Sequence, residues 1–175
     1  MQPEKIHPYP KGLLRRLALA GRDAFIDFRL WRLRRSGMDI GNGTKISLRA
    51  DLDTTNPNGV HIGDGTLISF HAVVFAHDLS RHLTTHTYIG SNCFIGAHSI
   101  IMPGIRVGDQ SIIGSGAVVT ADVPPGSIMA GNPARVLRSG IKTRQWGILV
   151  EAYEEAVARE AEAKAAERQG HGLVG

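Results

Sequence analysis

The chain has 175 residues, a net charge of +4 and 42% hydrophobic residues, which fits one soluble domain able to bury its own core. Aromatic residues make up 6% and glycine occurs 21 times, so a thin interior of small and β-branched side chains is expected. One cysteine excludes an internal disulfide framework. No apolar run reaches the roughly 18 residues of a membrane span, and no signal peptide is recognisable, so a cytoplasmic location is expected.

Residues 1–38 form a basic arm with nine Lys or Arg against three acids. Leu13, Leu17, Ala24, Phe28 and Trp31 are spaced as one face of a helix, which predicts a helix that covers the start of the following domain. Such an arm could meet an anionic membrane surface or simply be solvated. No zinc spacing, RNA-binding signature or helix-turn-helix pattern supports a nucleic-acid partner.

A six-residue repeat dominates residues 39–138 and predicts an all-β solenoid. Three six-residue steps make one 18-residue coil of a triangular prism, and parallel strands stack coil on coil about 4.8 Å apart. About four coils fit between residues 40 and 124. Aliphatic residues expected to point inward are Ile40, Ile46, Leu52, Ile62, Ile68, Val74, Ile89, Ile95, Ile101, Val107, Ile113 and Val119. Small residues expected to fill the corners are Thr44, Ala50, Thr66, Ala72, Cys93, Ser99, Ser111 and Ala117.

Glycine follows the aliphatic position at 41, 63, 90, 96, 108 and 114, and we expect it there because it adopts positive φ at little cost. The period slips twice. The first slip predicts a loop at residues 56–59 and the second a longer loop at about 78–88, which could lie on the binding face.

Residues 139–175 are predicted to be a C-terminal helix and tail. The segment 151–168 is rich in Ala and Glu, with Leu149, Tyr153 and Val157 as its anchors. A frayed helix is expected, ending in a disordered tail from Gly170 through His171 and Gly172.

The segments 89–98, 102–109, 113–120, 122–125 and 130–135 closely resemble the hexapeptide-repeat acetyltransferases. Within that superfamily the chain is most similar to the maltose and galactoside O-acetyltransferases and to the sugar O-acetyltransferases of polysaccharide biosynthesis. The resemblance implies a left-handed parallel β-helix, a homotrimer, acetyl-coenzyme A as co-substrate, and a sugar or glycan precursor as acceptor.

The same resemblance implies that His77 is the catalytic base. A sugar hydroxyl is a weak nucleophile, and a neutral imidazole is suited to take its proton. By resemblance the amide of Ala97 stabilises the oxyanion. Residues implied to bind the coenzyme are Phe94, Ala97, Ser115, Thr120, Arg135 and Arg138. Phe94 replaces a common Trp, and Ala121 stands where relatives often have Lys.

The acceptor side is predicted from the resemblance and from position in the chain. Arg49 and Asp51 fall where relatives place polar residues that contact the sugar or support the base. Asp78 could orient His77, and His82 and His86 lie in the loop beside it.

Three alternatives stay open at this point. The chain could acetylate the nitrogen of an amino sugar. It could be a γ-class carbonic-anhydrase-like metalloenzyme, with His71, His77 and His98 holding zinc between subunits. It could also be a β-helix subunit that assembles without catalysis. No metal is expected from the acetyltransferase resemblance.

Overall fold

The computed structural model describes residues 13–171. Its centre consists of three stacks of short strands, here called sheets A, B and C, which the chain visits in turn. Sheet A pairs β1 (Asp39–Ile40), β4 (Val60–Ile62), β9 (Thr87–Ile89) and β12 (Arg106–Val107). Sheet B pairs β2 (Lys45–Ile46), β5 (Leu67–Ile68), β10 (Phe94–Ile95), β13 (Ile112–Ile113), β15 (Ser127–Gly131) and β16 (Ala134–Ser139). Sheet C pairs β3 (Asp51–Leu52), β6 (Val73–Val74), β11 (Ile100–Ile101) and β14 (Val118–Val119).

Both inward columns expected from the repeat are confirmed. All the aliphatic positions and all the small corner positions are buried. The hydroxyls of the small column bond to corner carbonyls: Thr44 Oγ1, for example, donates to the carbonyl of Gly63 at 2.6 Å. Burial raises the pKa of the Cys93 thiol to about 11, so this cysteine is an inert packing residue at neutral pH.

The prediction of positive φ at the repeated glycines is wrong. None of the glycines at 41, 63, 90, 96, 108 and 114 has positive φ. Their role is steric, because a Cβ at Gly96 would lie 2.6 Å from the Ser115 amide nitrogen of the next strand layer. Positive φ occurs two residues after the repeated glycine, where Gly43, Asn92 and His98 are found.

The two slips in the period have structure of their own. Residues Pro57–Gly59 form a short 3-10 helix. In the second slip, β7 (His77–Asp78) and β8 (Leu83–Thr84) pair as an antiparallel hairpin, where only a loop was expected. The end of the repeat also differs from a parallel coil, because β16 folds back antiparallel on β15.

The helix α1 (Leu13–Arg35) packs against β1 and β2, the strands at one edge of sheets A and B. Leu30 is buried in the core, and the partly buried side chains of Ile26 and Leu33 pack against this core. Two arginines bond to carbonyls of the first layer. The guanidinium of Arg29 donates to the carbonyls of Ser47 and Ala50, and that of Arg34 donates to those of Ile40 and Gly41. Unpaired strand-edge carbonyls near the helix are therefore satisfied by its side chains.

The segment between the repeat and the last helix contains two strands that were not predicted from the sequence. β17 (Thr143–Arg144) and β18 (Ile148–Leu149) pair around a 3-10 turn at Gln145–Gly147. This strap lies along the corner between sheets A and B, where Trp146 Nε1 donates to the carbonyl of Gly43 at 2.9 Å.

The helix α2 (Val150–His171) follows the strap, and its described side chains from residue 151 onward are exposed. Gly170 and His171 belong to this helix, which contradicts the expected tail at those two residues; Gly172 lies outside the described residues. Neither described helix is long and apolar enough to cross a membrane.

Candidate active site

His77 and Asp53 form the only short imidazole–carboxylate pair in the described part of the chain. His77 Nδ1 lies 2.5 Å from Asp53 Oδ2. The two residues are 24 positions apart but meet because β3 and β6 are paired, with Leu52 opposite Val74. The Asp53 side chain is 1% exposed and that of His77 is 28% exposed. A buried carboxylate thus supports an imidazole ring that solvent can reach.

Asp53 is held by backbone amides as well as by the histidine. Its Oδ2 accepts from the Ala76 amide at 2.7 Å, and its Oδ1 accepts from the amides of Thr55 and Asn56 at 3.0 and 3.1 Å. Burial by itself raises the pKa of Asp53, but the hydrogen bonds from Ala76, His77, Asn56 and Thr55 outweigh it, so the pKa is lowered. Asp53 is therefore ionised at neutral pH.

The ionised carboxylate determines the tautomer of the ring. A carboxylate can only accept, so Nδ1 of His77 carries the proton and donates it to Asp53. The Nε2 atom then has a free lone pair and can accept a proton from a ligand. This is the arrangement required of a general base.

The base opens into a small cleft on the outer face of sheet C. The cleft has a volume of about 180 Å³, and its lining includes Asp51, Asp53, Thr54, Phe75 and His77. Asp51, predicted to be near the acceptor, is thus placed beside the base. Asp53 was missed in the sequence, although the register that aligns Ile40 with Ile62 also aligns Leu52 with Val74 and could have revealed it.

The other residues predicted to contact the sugar acceptor do not line this cleft. Asp78 does not orient His77, because its carboxylate accepts from Ser80 Oγ and Arg81 Nε, each at 2.6 Å. Those hydrogen bonds, first from Ser80 and then from Arg81, lower the pKa of Asp78 to about 2. His82 is exposed at the tip of the hairpin. Arg49 is exposed at the corner between sheets B and C, away from the cleft.

His86 was expected beside the base, but it turns to sheet A. Its Nδ1 lies 2.8 Å from Nε2 of His61. The His61 ring stacks on the Tyr88 ring, with the two centroids 4.4 Å apart. The guanidinium carbon of Arg106, on the next strand of the sheet, lies 3.9 Å from the centroid of the Tyr88 ring. His61, Tyr88 and Arg106 line a shallow groove of about 820 Å³ on the outer face of sheet A.

The structure does not bring Ala97 and His77 together within one chain. Ala97 and Ser115 lie at the corner between sheets B and C, where the Gly116 amide donates to the Ala97 carbonyl. His77 lies past β6, at the corner between sheets C and A. One side of the prism separates the two corners, about 15–20 Å for an extended segment of five or six residues. Within the described residues the Ala97 amide donates no hydrogen bond, so it is available to a ligand.

The predicted coenzyme residues are spread over two faces. Phe94 is half-buried on sheet B under the strap, where a Cβ at Gly147 would lie 2.4 Å from Phe94 Cβ. Thr120 is exposed at the corner that also carries His77. Arg135 and Arg138 are exposed on β16. Arg138 holds the Glu151 carboxylate with two hydrogen bonds of 2.7 and 2.9 Å, which raise its own pKa and lower that of Glu151.

The three histidines of the metalloenzyme alternative do not converge in this chain. His71 and His98 stack on each other with ring centroids 4.9 Å apart, at the corner between sheets B and C, whereas His77 lies at another corner. Among the residues that the structure describes, no group of three or more His, Cys, Asp or Glu side chains could hold a metal ion.

Comparison with known proteins returns acetyltransferases. A family model described as the hexapeptide repeat of succinyl-transferase matches residues 87–121. YvoF of Bacillus subtilis, which is named an acetyltransferase, is 30% identical over 116 residues that cover 65% of this chain and 67% of YvoF. The galactoside O-acetyltransferase of Escherichia coli is 34% identical over 111 residues, 58% of this chain and 55% of that enzyme.

Among solved structures, a hexapeptide-repeat-containing acetyltransferase from Vibrio cholerae superposes with a TM-score of 0.52 at 29% identity. The match covers 59% of this chain and 62% of that one. The chain therefore spans about two thirds of the length of YvoF and of the Vibrio protein, and about half of the galactoside enzyme.

Proposed function

Because the chain belongs to the hexapeptide-repeat acetyltransferases, we propose that it transfers an acetyl group from acetyl-coenzyme A to a hydroxyl of a sugar or glycan precursor. The observation that carries this proposal is the pairing of His77 with the buried, ionised Asp53 at 2.5 Å. Hydroxyl transfer needs a general base of this kind, because the acceptor must lose its proton as it attacks.

The proposed reaction is direct. The acceptor oxygen attacks the thioester carbonyl carbon while its proton passes to His77 Nε2, and Asp53 stabilises the imidazolium through Nδ1. The tetrahedral oxyanion accepts a hydrogen bond from a backbone amide, for which Ala97 is the candidate. Collapse breaks the carbon–sulfur bond, and the proton on Nε2 goes to the departing thiolate. No covalent enzyme intermediate is needed.

The separation of His77 and Ala97 supports a site built from two chains. If His77 comes from one subunit and Ala97 with Ser115 from its neighbour, the two corners can face each other across a groove. A cyclic trimer has three such grooves, all equivalent. A groove between chains also offers room for a coenzyme that a narrow prism could not enclose. We therefore infer a homotrimer with three composite sites.

The basic residues of β16 are suited to bind the phosphates at the nucleotide end of acetyl-coenzyme A. Arg135 and Arg138 offer guanidinium groups that could bind phosphates, with Glu151 occupying Arg138 in the absence of a ligand. Thr120 and Phe94 remain candidates for contacts along the pantetheine arm and nucleotide.

Family membership also supports a finer description of the fold. The relatives imply the left-handed form of the parallel β-helix. We infer four coils, with α1 as the cap of the first one, from the pairing of four strands in sheet C and from the contacts of Arg29 and Arg34.

Steady-state kinetics of His77→Ala test the proposed function. With acetyl-coenzyme A and a panel of sugars as acceptors, we expect kcat to fall by on the order of 10²–10⁴ while coenzyme binding stays unchanged. His82→Ala is the matched control, since His82 is exposed on the same hairpin, and it should keep most of its kcat. Lability of the product to alkaline hydroxylamine distinguishes an ester from the amide of an amino sugar. A His77→Ala enzyme with nearly full kcat would remove His77 from the mechanism.

A further inference from the structure

The outward face of α1 has an unusual composition for a solvent-exposed helix. Phe25, Phe28 and Trp31 follow one another at intervals of three residues and are 59%, 53% and 54% exposed. The core contacts of the helix, Ile26, Leu30 and Leu33, lie on the opposite side. Phe28 and Trp31 stack with ring centroids 5.8 Å apart. Apolar burial against the described part of the chain therefore does not explain the three aromatic residues.

The same face is basic. Arg32 and Arg35 are both exposed, and in the described residues neither pairs with a carboxylate. Arg35 lies over the Trp31 ring, with its guanidinium carbon 5.9 Å from the ring centroid. The other two arginines of this stretch, Arg29 and Arg34, are already bonded to strand-edge carbonyls. Arg32 and Arg35 therefore offer two free positive charges beside the aromatic rings.

An apolar groove lies alongside this face. It has a volume of about 380 Å³, and Phe25, Phe28, Leu33 and Leu48 contribute to its lining. Leu48 is itself 41% exposed at the corner between sheets B and C. Thr54 borders both this groove and the cleft of His77, so the two surfaces are continuous.

We propose that the face formed by Phe25, Phe28, Trp31, Arg32 and Arg35, here called the α1 outer face, docks the protein on an anionic lipid bilayer. Aromatic rings settle at the boundary between headgroups and acyl chains, and arginines next to them pair with lipid phosphates. The charge on this face selects an anionic surface rather than a neutral one. Docking does not depend on acetyl transfer, so its failure would leave the proposed function untouched.

Symmetry strengthens the docking if the proposed trimer forms. All three copies of α1 in a cyclic trimer point to the same side along the axis. Three weak contacts then act together, and their combined affinity exceeds that of each one by orders of magnitude. The surface shared with the His77 cleft would also bring that cleft close to acceptors held at the membrane.

Vesicle sedimentation with the full-length protein tests the proposal. We expect binding to vesicles of phosphatidylcholine mixed with phosphatidylglycerol, little binding to phosphatidylcholine alone, and release as salt is added. Phe28→Ala/Trp31→Ala should weaken binding by about tenfold or more, and Arg32→Gln/Arg35→Gln by about ten- to thirtyfold. Tyr153→Ala is the control, because Tyr153 is an exposed aromatic residue on the acidic helix α2, and it should bind normally.

A spectroscopic readout locates the contact. In Trp146→Phe protein, Trp31 is the remaining tryptophan, and its emission should shift to shorter wavelength when anionic vesicles are added. Absence of binding, or equal binding to neutral and anionic vesicles, overturns the proposal. It is also overturned if Phe28→Ala/Trp31→Ala lowers the oligomeric state without affecting vesicle binding, since a second copy of the chain would then cover the face.

Discussion

Asp53 makes two sets of contacts, and one substitution tests both. It orients the His77 ring through Nδ1, and it accepts the amides of Thr55, Asn56 and Ala76, which hold the corner between β3 and the 3-10 helix against the start of the hairpin. In the proposed mechanism the contact with His77 acts on the reaction, whereas the contacts with the three amides stabilise the fold. An amide in place of the carboxylate preserves the shape of the side chain but not its charge.

We expect Asp53→Asn to lower kcat by on the order of 10–10³, because an amide can bond to the wrong tautomer of His77 and cannot stabilise the imidazolium. The KM for acetyl-coenzyme A should change little. The control is Asp78→Asn, whose carboxylate bonds to Ser80 and Arg81 instead of His77. Equal losses in the two variants would show that the orientation of His77 by Asp53 is irrelevant to catalysis.

The same carboxylate should contribute to stability in a pH-dependent way. The pKa of Asp53 is lowered in the folded state from its ordinary value of 3.8, so its stabilising effect is present above that value and is lost as pH falls through the lowered one. Thermal unfolding should therefore separate the unmodified protein from Asp53→Asn at neutral pH. The two curves should approach each other in strong acid, and a constant difference would contradict this assignment.

Arg135 and Arg138 should not contribute equally to the binding of acetyl-coenzyme A. Arg138 is already paired with Glu151, whereas among the described residues Arg135 bonds only to the carbonyl of the preceding residue, Ala134, at 2.9 Å. If both meet phosphates, Arg135→Ala should raise the KM for acetyl-coenzyme A about ten- to a hundredfold, and Arg138→Ala less. Glu151→Gln should lower this KM by up to about fivefold, since it frees Arg138.

A donor that lacks the ribose 3′-phosphate is the control for this pair. The increase in KM caused by the arginine substitutions should be smaller with that donor and at high salt. If the unmodified protein used both donors with the same KM, these arginines would be surface charges without a role in coenzyme binding.

At the scale of the strands, the period of the sequence was enough to place the interior. The inward columns followed from the six-residue spacing, because each side of the prism repeats the same environment. The register of the repeat also places Asp53 near His77, because Leu52 pairs with Val74 in the adjacent layer, but the period alone does not show that the two side chains bond. The period also could not reveal the strap, because β17 and β18 are held by contacts such as Thr143 Oγ1 to the Asn92 carbonyl, which have no period.

The repeated glycines give a test of the strand stacking. Gly96→Ala places a methyl group 2.6 Å from backbone atoms of the next layer, which cannot move independently. We expect a loss of about 1–3 kcal/mol in the free energy of unfolding, or a fall in Tm of about 2–12 °C at fixed protein concentration.

Gly116→Asn is the matched comparison. Gly116 has φ of +72°, and nothing lies within 4 Å of the position its Cβ would take. Asn is tolerated in this left-handed conformation, and Asn92 adopts it with φ of 55° at the equivalent place in the repeat. Its Tm should therefore change by about 1–2 °C at most. Equal losses for Gly96→Ala and Gly116→Asn would mean that positive φ, and not close stacking, determines where glycine is needed.

At the scale of the assembly, the separation of His77 and Ala97 predicts that two inactive variants can restore each other. His77→Ala removes the base but keeps the Ala97 amide. Ala97→Pro removes that amide proton at the second residue of a turn whose third residue, His98, has φ of 59°. Proline suits this turn position, and the chain already has it before the positive-φ residues Gly104 and Gly126.

Each variant alone should be nearly inactive and should retain its Tm and oligomeric state. If the proposed trimer forms, co-expression in equal amounts should yield mixed trimers in which one groove joins an intact His77 to an intact Ala97. Random assembly then predicts about one quarter of the activity of the unmodified protein. If both groups acted within one chain, every chain in the mixture would lack one of them, and no activity would return. Sedimentation equilibrium of the mixture confirms that trimers are present, so a failure to restore activity would count against the composite site itself.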